Sequence, residues 1–202
     1  MDWTPTSATV HLCLDMQRLF SPEQPAAPWP TPWLPRILPM VAAIAERFPA
    51  RTIFTRFIPP QEPEAMPGTW RPYYQRWRHA TRDHLAPEAL ELLPELARMC
   101  PPAMVVDKPV YSAFIRSDLA ALLRRRGVDG LVVTGSETDV CVLATVLDAI
   151  DLGYPVCIVT DAVCSSVDTS HDAVLTLYRT RFAQQVITMT TDQLLDGWTV
   201  VD

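Results

Sequence analysis

Apolar residues run along this chain in two alternating rhythms. Short unbroken runs rich in β-branched residues occur at Thr9 to Leu14, Arg51 to Ile58, Ala103 to Val106, Leu131 to Thr134, Val156 to Thr160 and Gln185 to Met189. Each reads as a strand buried on both faces. Between them the apolar positions recur at helical spacing. From Trp33 to Phe48 they are Leu34, Ile37, Leu38, Val41, Ile44, Ala45 and Phe48, with Pro35 in the first turn and Pro39 as a bend. Glu88 to Met99 reads as a helix on Leu90, Leu93, Leu96 and Ala97, stopped by Pro101 and Pro102. Asp118 to Arg126 reads as a short helix closed by Gly127. A helix entered at Val140 packs through Val142, Val146, Ala149 and Ile150, turns Asp148 and Asp151 to solvent, and ends at Gly153. His171 to Phe182 is the last. Strands and helices alternate, which predicts an α/β fold: a parallel sheet covered on both faces.

One passage resists both rhythms. In Pro59 to His84, Trp70, Tyr73, Tyr74 and Trp77 stand among Arg71, Arg76, Arg78 and His79. Such a stretch suits a lid that desolvates a small substrate, or a subunit interface, where these residue types are enriched. The spacing of His79 and His84 does not put two metal ligands on one helical face.

Composition narrows the picture further. The 202 residues suit a single domain spanning 1–202, and the net charge of -6, without a basic run interleaved with aromatics, argues against nucleic acid as a partner. The one basic cluster, Arg124 to Arg126, ends a predicted helix and meets its dipole. With no signal-like or membrane-spanning stretch, the expectation is a cytoplasmic protein that does not bind membranes. Five widely spaced cysteines without CxxC point to reduced thiols rather than disulfides or structural zinc. Twenty prolines, clustered at Pro22 to Pro39, Pro59 to Pro72 and Pro101 to Pro102, read as stiff connections.

The chemistry gathers at strand ends. Asp15, Lys108 and Cys141 each follow the C-terminal end of a different predicted strand, the edge where open α/β sheets bind ligands. Gly135 and Ser136 mark a sharp turn that leaves Cys141 near a helix N-terminus, where free N–H groups and the dipole favour a thiolate and can hold an oxyanion. Each residue alone has a plainer use: Cys141 as a packed apolar group, Asp15 as a turn former, Lys108 as a surface lysine. Cys13 and Cys157 read as core, Cys164 as a small filler, and His171 as a surface or capping residue.

Taken together, Asp15 in LDMQ, Lys108 in DKPVYSAF and Cys141 in VVTGSETDVCVLATVLDAIDLGYPVCIVTDAVCSS resemble the three motifs of the isochorismatase-like cysteine hydrolases. The resemblance covers most of the chain and is weakest from Pro22 to Trp77. It implies a Rossmann-like three-layer α/β/α sandwich with a six-stranded parallel sheet, assembled as a homodimer or homotetramer. It makes Cys141 the nucleophile, Asp15 the general base and acid, and Lys108 the third member of a triad. The backbone N–H groups of Val140 and Cys141 become the oxyanion hole, and a cis peptide falls between Ser136 and Glu137. Phe20, Tyr111 and Phe114 match positions that border the family's pocket. Nicotinamidase-type relatives bind zinc through an Asp and two His after the second strand. Here that strand leads through Thr55, Arg56, Phe57, Ile58 and Pro59, so no metal and no other cofactor is expected. The implied activity is C–N hydrolysis of a small amide, carbamoyl or ureido compound through a thioester on Cys141. Vinyl-ether hydrolysis of the isochorismatase type, a catalytically silent module and a redox-responsive thiol protein are the alternatives.

Overall fold

The computed structural model describes residues 3–24 and 27–199. Six strands form one sheet: β1 (Val10–Leu14), β2 (Thr52–Phe57), β3 (Met104–Lys108), β4 (Leu131–Ser136), β5 (Val156–Cys164) and β6 (Val186–Met189). Every pair is parallel, in the order β3-β2-β1-β4-β5-β6. The expected α/β architecture is therefore what the chain adopts. The order reverses between β1 and β4, and that switch point opens a crevice beyond their C-terminal ends.

Helices α1 (Leu34–Arg47), α2 (Trp70–Arg76), α3 (Pro94–Ala97), α4 (Leu119–Arg125), α5 (Leu143–Asp151), α6 (Asp168–Thr180) and α7 (Thr191–Gly197) surround the sheet. Strand side chains alternate between its faces. Cys13, Phe54, Val132 and Cys157 pack with Ile37, Val41 and Ile44 of α1 and Leu194 of α7. On the other side, Leu12, Ile53, Val133 and Ile158 pack with Leu122 of α4, Val146 of α5 and Tyr178 of α6. Burial on both faces explains why the strands read as unbroken apolar runs.

Pro39 lies inside α1 and removes one intrahelical bond, a defect that its exposed side can share with water. Gly135 is needed where β4 touches β1: its φ is +103°, and a Cβ there would stand 2.1 Å from the Leu14 carbonyl oxygen.

Four expectations need correction. Glu88 to Met99 is not one helix but a 3-10 turn at Pro87–Leu90 and the four-residue α3. Pro94 divides it, because proline lacks the N–H and disfavours helix in the residue before it. The freed residues turn extended instead, with Leu92 bridging Gln17 and Leu93 N–H donating to the Met16 carbonyl at 2.9 Å. Helix α7 was not anticipated, although Thr190 and Gln193 form a reciprocal capping box at its start. Asp148 does not face solvent freely, since its carboxylate accepts a hydrogen bond from Ser112 Oγ. Finally, Cys164 is the last residue of β5 rather than a residue beyond it. No helix of the described residues is long and apolar enough to cross a membrane.

Candidate active site

The three strand-end residues meet at the switch point. Asp15 follows β1 with φ +53°, a left-handed conformation that aspartate tolerates better than most side chains. Its kinked backbone is tied to β2: Asp15 N–H donates to Thr55 Oγ1 at 3.2 Å, and that hydroxyl donates to Asp15 Oδ1 at 2.6 Å. Lys108 ends the edge strand β3 and crosses the Phe57 ring, its Nζ 5.0 Å from the centroid. It then reaches Asp15 Oδ2 at 2.7 Å. Neither Asp15 nor Lys108 has any solvent exposure.

Lysine has three N–H protons to place. Here they are directed to the Val110 carbonyl at 3.1 Å, the Tyr111 carbonyl at 2.9 Å and Cys141 Sγ at 3.3 Å. The contact with Asp15 Oδ2 is thus an attraction of charges without a directed bond, and it leaves that oxygen as a buried acceptor with no donor aimed at it. Burial opposes the Lys108 charge, but Asp15 and the adjacent sulfur outweigh it and hold the ammonium above the ordinary lysine range.

Cys141 lies in a π-type turn, Thr138–Val142, that leads into α5. Both Val140 N–H and Val142 N–H donate to the Glu137 carbonyl, at 3.1 and 3.0 Å. The peptide between Ser136 and Glu137 is cis. Thr138 Oγ1 lies 2.9 Å from His171 Nδ1, and Asp139 accepts from Ser165 Oγ at 2.5 Å and from Ser170 Oγ. Side chains of the β5-to-α6 segment thereby fix the turn. His171, expected as a surface or capping residue, is one of those ties.

Two electrostatic expectations change. Burial is the largest influence on the Cys141 thiol, and together with the Asp15 carboxylate it outweighs the Lys108 ammonium, so the thiol is pushed up rather than down. The expected oxyanion hole is also altered, because the Val140 N–H is already bonded within the turn.

Sulfur opens onto a hollow of about 130 Å³ lined by Phe20, Trp29, Phe57, Tyr73, Tyr111, Glu137, Val140 and Cys141. Phe20 and Tyr111 therefore stand where they were expected. Phe114 does not: it packs in the opposite layer against Tyr154, with ring centroids 6.3 Å apart. The aromatic passage supplies a wall of the hollow within the same chain. Tyr73 of α2 lines it, Tyr74 is wholly buried behind, and Trp70 covers Tyr111 at 4.7 Å between ring centroids. Trp29 and Thr55 had not been singled out for the site, and Glu137 only for its cis peptide. Thr55 was findable from register, since it comes one position after the pair Cys13 and Phe54, beside the end of β1. Among the described residues no group of three or more His, Cys, Asp or Glu side chains is placed to hold a metal ion. A larger hollow of about 400 Å³, between α1, β5 and α6, is not lined by any of Asp15, Lys108 or Cys141.

A family model described as the isochorismatase domain matches residues 9–193. Over 91 residues the chain is 35% identical to YwoC of Bacillus subtilis (strain 168), described as an isochorismatase family protein, covering 45% of this chain and 47% of that one. Over 86 residues it is 38% identical to the ureidoacrylate amidohydrolase RutB of Stutzerimonas stutzeri (strain A1501), covering 43% of this chain and 30% of the relative. The matched stretches thus span less than half the length of these curated relatives. Among solved structures, a cysteine hydrolase from Pseudomonas syringae pv. phaseolicola 1448A superposes with a TM-score of 0.82 at 23% identity, over 96% of this chain and 94% of that chain. An N-carbamoylsarcosine amidase from Thermoplasma acidophilum gives 0.72 at 20% identity, over 91% and 96%. At these identities the structural matches speak to the fold.

Proposed function

Since the chain belongs to the isochorismatase-domain family, we propose that it is a cysteine hydrolase that cleaves the C–N bond of a small amide, carbamoyl or ureido compound. The observation that carries this reading is the buried set in which the Lys108 ammonium lies 2.7 Å from Asp15 Oδ2 and is bonded to the Cys141 sulfur at 3.3 Å.

The chemistry follows from that arrangement. As Sγ attacks the carbonyl carbon, its proton passes to Asp15, and the emerging negative sulfur is stabilised by Lys108. The carbonyl π electrons move onto oxygen, which the Cys141 N–H stabilises, with the Val140 N–H contributing only if shared with Glu137. Asp15 then gives its proton to the departing nitrogen, the C–N bond breaks, and ammonia or an amine leaves a thioester on Cys141. Water enters, loses a proton to Asp15 and attacks the thioester. Collapse expels the sulfur, which takes the proton back. Every step uses organic groups of this chain, and the aromatic walls keep bulk water from the intermediate.

A thiol that burial pushes up suits this cycle, because one carboxylate takes and returns each proton in turn. The expected outcome is ammonia release from members of a panel of small amides, carbamoyl and ureido compounds. In Cys141→Ala the rate falls by about 10³-fold or more while the circular dichroism spectrum is unchanged. Equal turnover by both proteins would refute the nucleophile, and pyruvate release from isochorismate without amide turnover would favour vinyl-ether hydrolysis.

A further inference from the structure

We propose that the part of the substrate remote from the scissile bond is a compact cation of the alkylammonium type, held between aromatic faces with Glu137 as its counter-charge. This rests on the reading of Cys141 as an amide-cleaving nucleophile, and it goes further by naming the substrate class.

The lining of the hollow carries the inference. Phe20, Trp29, Tyr73 and Tyr111 supply aromatic faces, and Glu137 is the one charged side chain among the lining residues. The rings hold one another in place: Trp29 stacks on Phe20 at 6.2 Å and on Tyr73 at 6.3 Å between centroids. No Arg, Lys or His belongs to the lining. Lys108, which bonds the sulfur, has its three protons directed to Val110, Tyr111 and Cys141. A carboxylate-bearing substrate would therefore meet Glu137 with no positive partner left to receive it.

Aromatic faces attract cations through their negative π clouds, and most strongly where water is excluded. The site already uses this once, with the Lys108 ammonium 5.0 Å from the Phe57 centroid. Glu137 is held in position by its own bond, Oε1 accepting from Ser166 N–H at 2.9 Å. Burial is the main cause that raises the Tyr73 and Tyr111 phenols, and the nearby negative groups, Glu137 among them, add to it. Glu137 is half-buried, so its charge is only partly screened.

Three small amides test the idea: trimethylammonioacetamide, its neutral isostere tert-butylacetamide, and malonamate, in which a carboxylate replaces the ammonium. Calorimetric binding to Cys141→Ala is measured beside KM and kcat for wild type and Glu137→Gln. The cationic amide is expected to bind at least ~10-fold more tightly than its neutral isostere, with malonamate weakest. Glu137→Gln keeps an acceptor for Ser166 N–H but loses the charge. It should raise KM for the cationic amide by at least ~5-fold more than it raises KM for tert-butylacetamide. Equal binding of cation and isostere, a preference for malonamate, no detectable binding of the cation, or no differential effect of Glu137→Gln would overturn the proposal. If the predicted binding order appears but wild type releases ammonia from none of the three, the hydrolase reading fails while the hollow's preference for a cation, as a ligand site, stands. If all three are hydrolysed with equal KM, the reverse holds.

Discussion

His11 and Asp15 lie four residues apart at the centre of the sheet, both without solvent exposure, yet the protein treats them in opposite ways. His11 is neutralised. Thr52 Oγ1 donates to the Phe48 carbonyl at 2.9 Å and so accepts from His11 Nδ1–H at 3.1 Å, which leaves Nε2 to accept from Thr134 Oγ1 at 2.8 Å. All three side chains lie within the strands, each ring nitrogen has a partner, and burial lowers the imidazole pKa to about 3. Asp15 instead faces a buried ammonium, sits in a left-handed kink, and keeps an oxygen without a directed donor. Saturated polar groups hold a fold in register, whereas a carboxylate beside a thiol serves proton transfer in the reaction proposed above. The difference is set by strand position: His11 is paired with β2 and β4 inside the sheet, while Asp15 has just passed the end of β1.

Removing one charge at the Asp15 end should have the largest effect on stability. Lys108→Met leaves the carboxylate buried without its partner, and chemical denaturation should report a loss of about 3–5 kcal/mol, accompanied by loss of turnover. Adding Asp15→Asn should recover part of that stability and none of the activity. A full loss in the double variant would show that the two charges are not coupled.

The His11 end should respond more mildly and with its own pH signature. Its folded pKa lies below the unfolded value of 6.5, so its stabilising contribution is complete above 6.5 and is lost as pH falls toward about 3. Over that window it accounts for a slope of up to ~1.4 kcal/mol per pH unit in unfolding free energy. His11→Asn should remove that slope and cost about 1–3 kcal/mol at neutral pH, while kcat stays near wild type. An unchanged slope would mean that another group carries the acid sensitivity.

The same contrast explains what could be read from the sequence. The strands were visible because burial on both faces leaves unbroken apolar runs, and Asp15 and Lys108 were visible because those runs stop at them. Helix α7 announced itself through Thr190 and Gln193, a local signal that was passed over. Pro94 was also local, and its veto on the Glu88 to Met99 helix outweighs the leucine spacing. Phe114 and Trp29 were not legible in this way. Whether an aromatic residue faces the hollow or the opposite layer depends on how a loop crosses the sheet, and nothing in the adjacent residues encodes that. The upward push on the Cys141 thiol was hidden for a related reason: a helix start is a local feature, but the burial that outweighs it comes from the packed fold.

The sharpest test of Cys141 as a nucleophile that hands its proton to Asp15 is to quench wild type during turnover of a small amide and weigh the peptide that contains Cys141. A mass increase equal to the acyl group, absent from Cys141→Ala and abolished by Asp15→Asn, is the predicted result. Steady hydrolysis with an unmodified Cys141 peptide, and with full activity in Cys141→Ala, would contradict it.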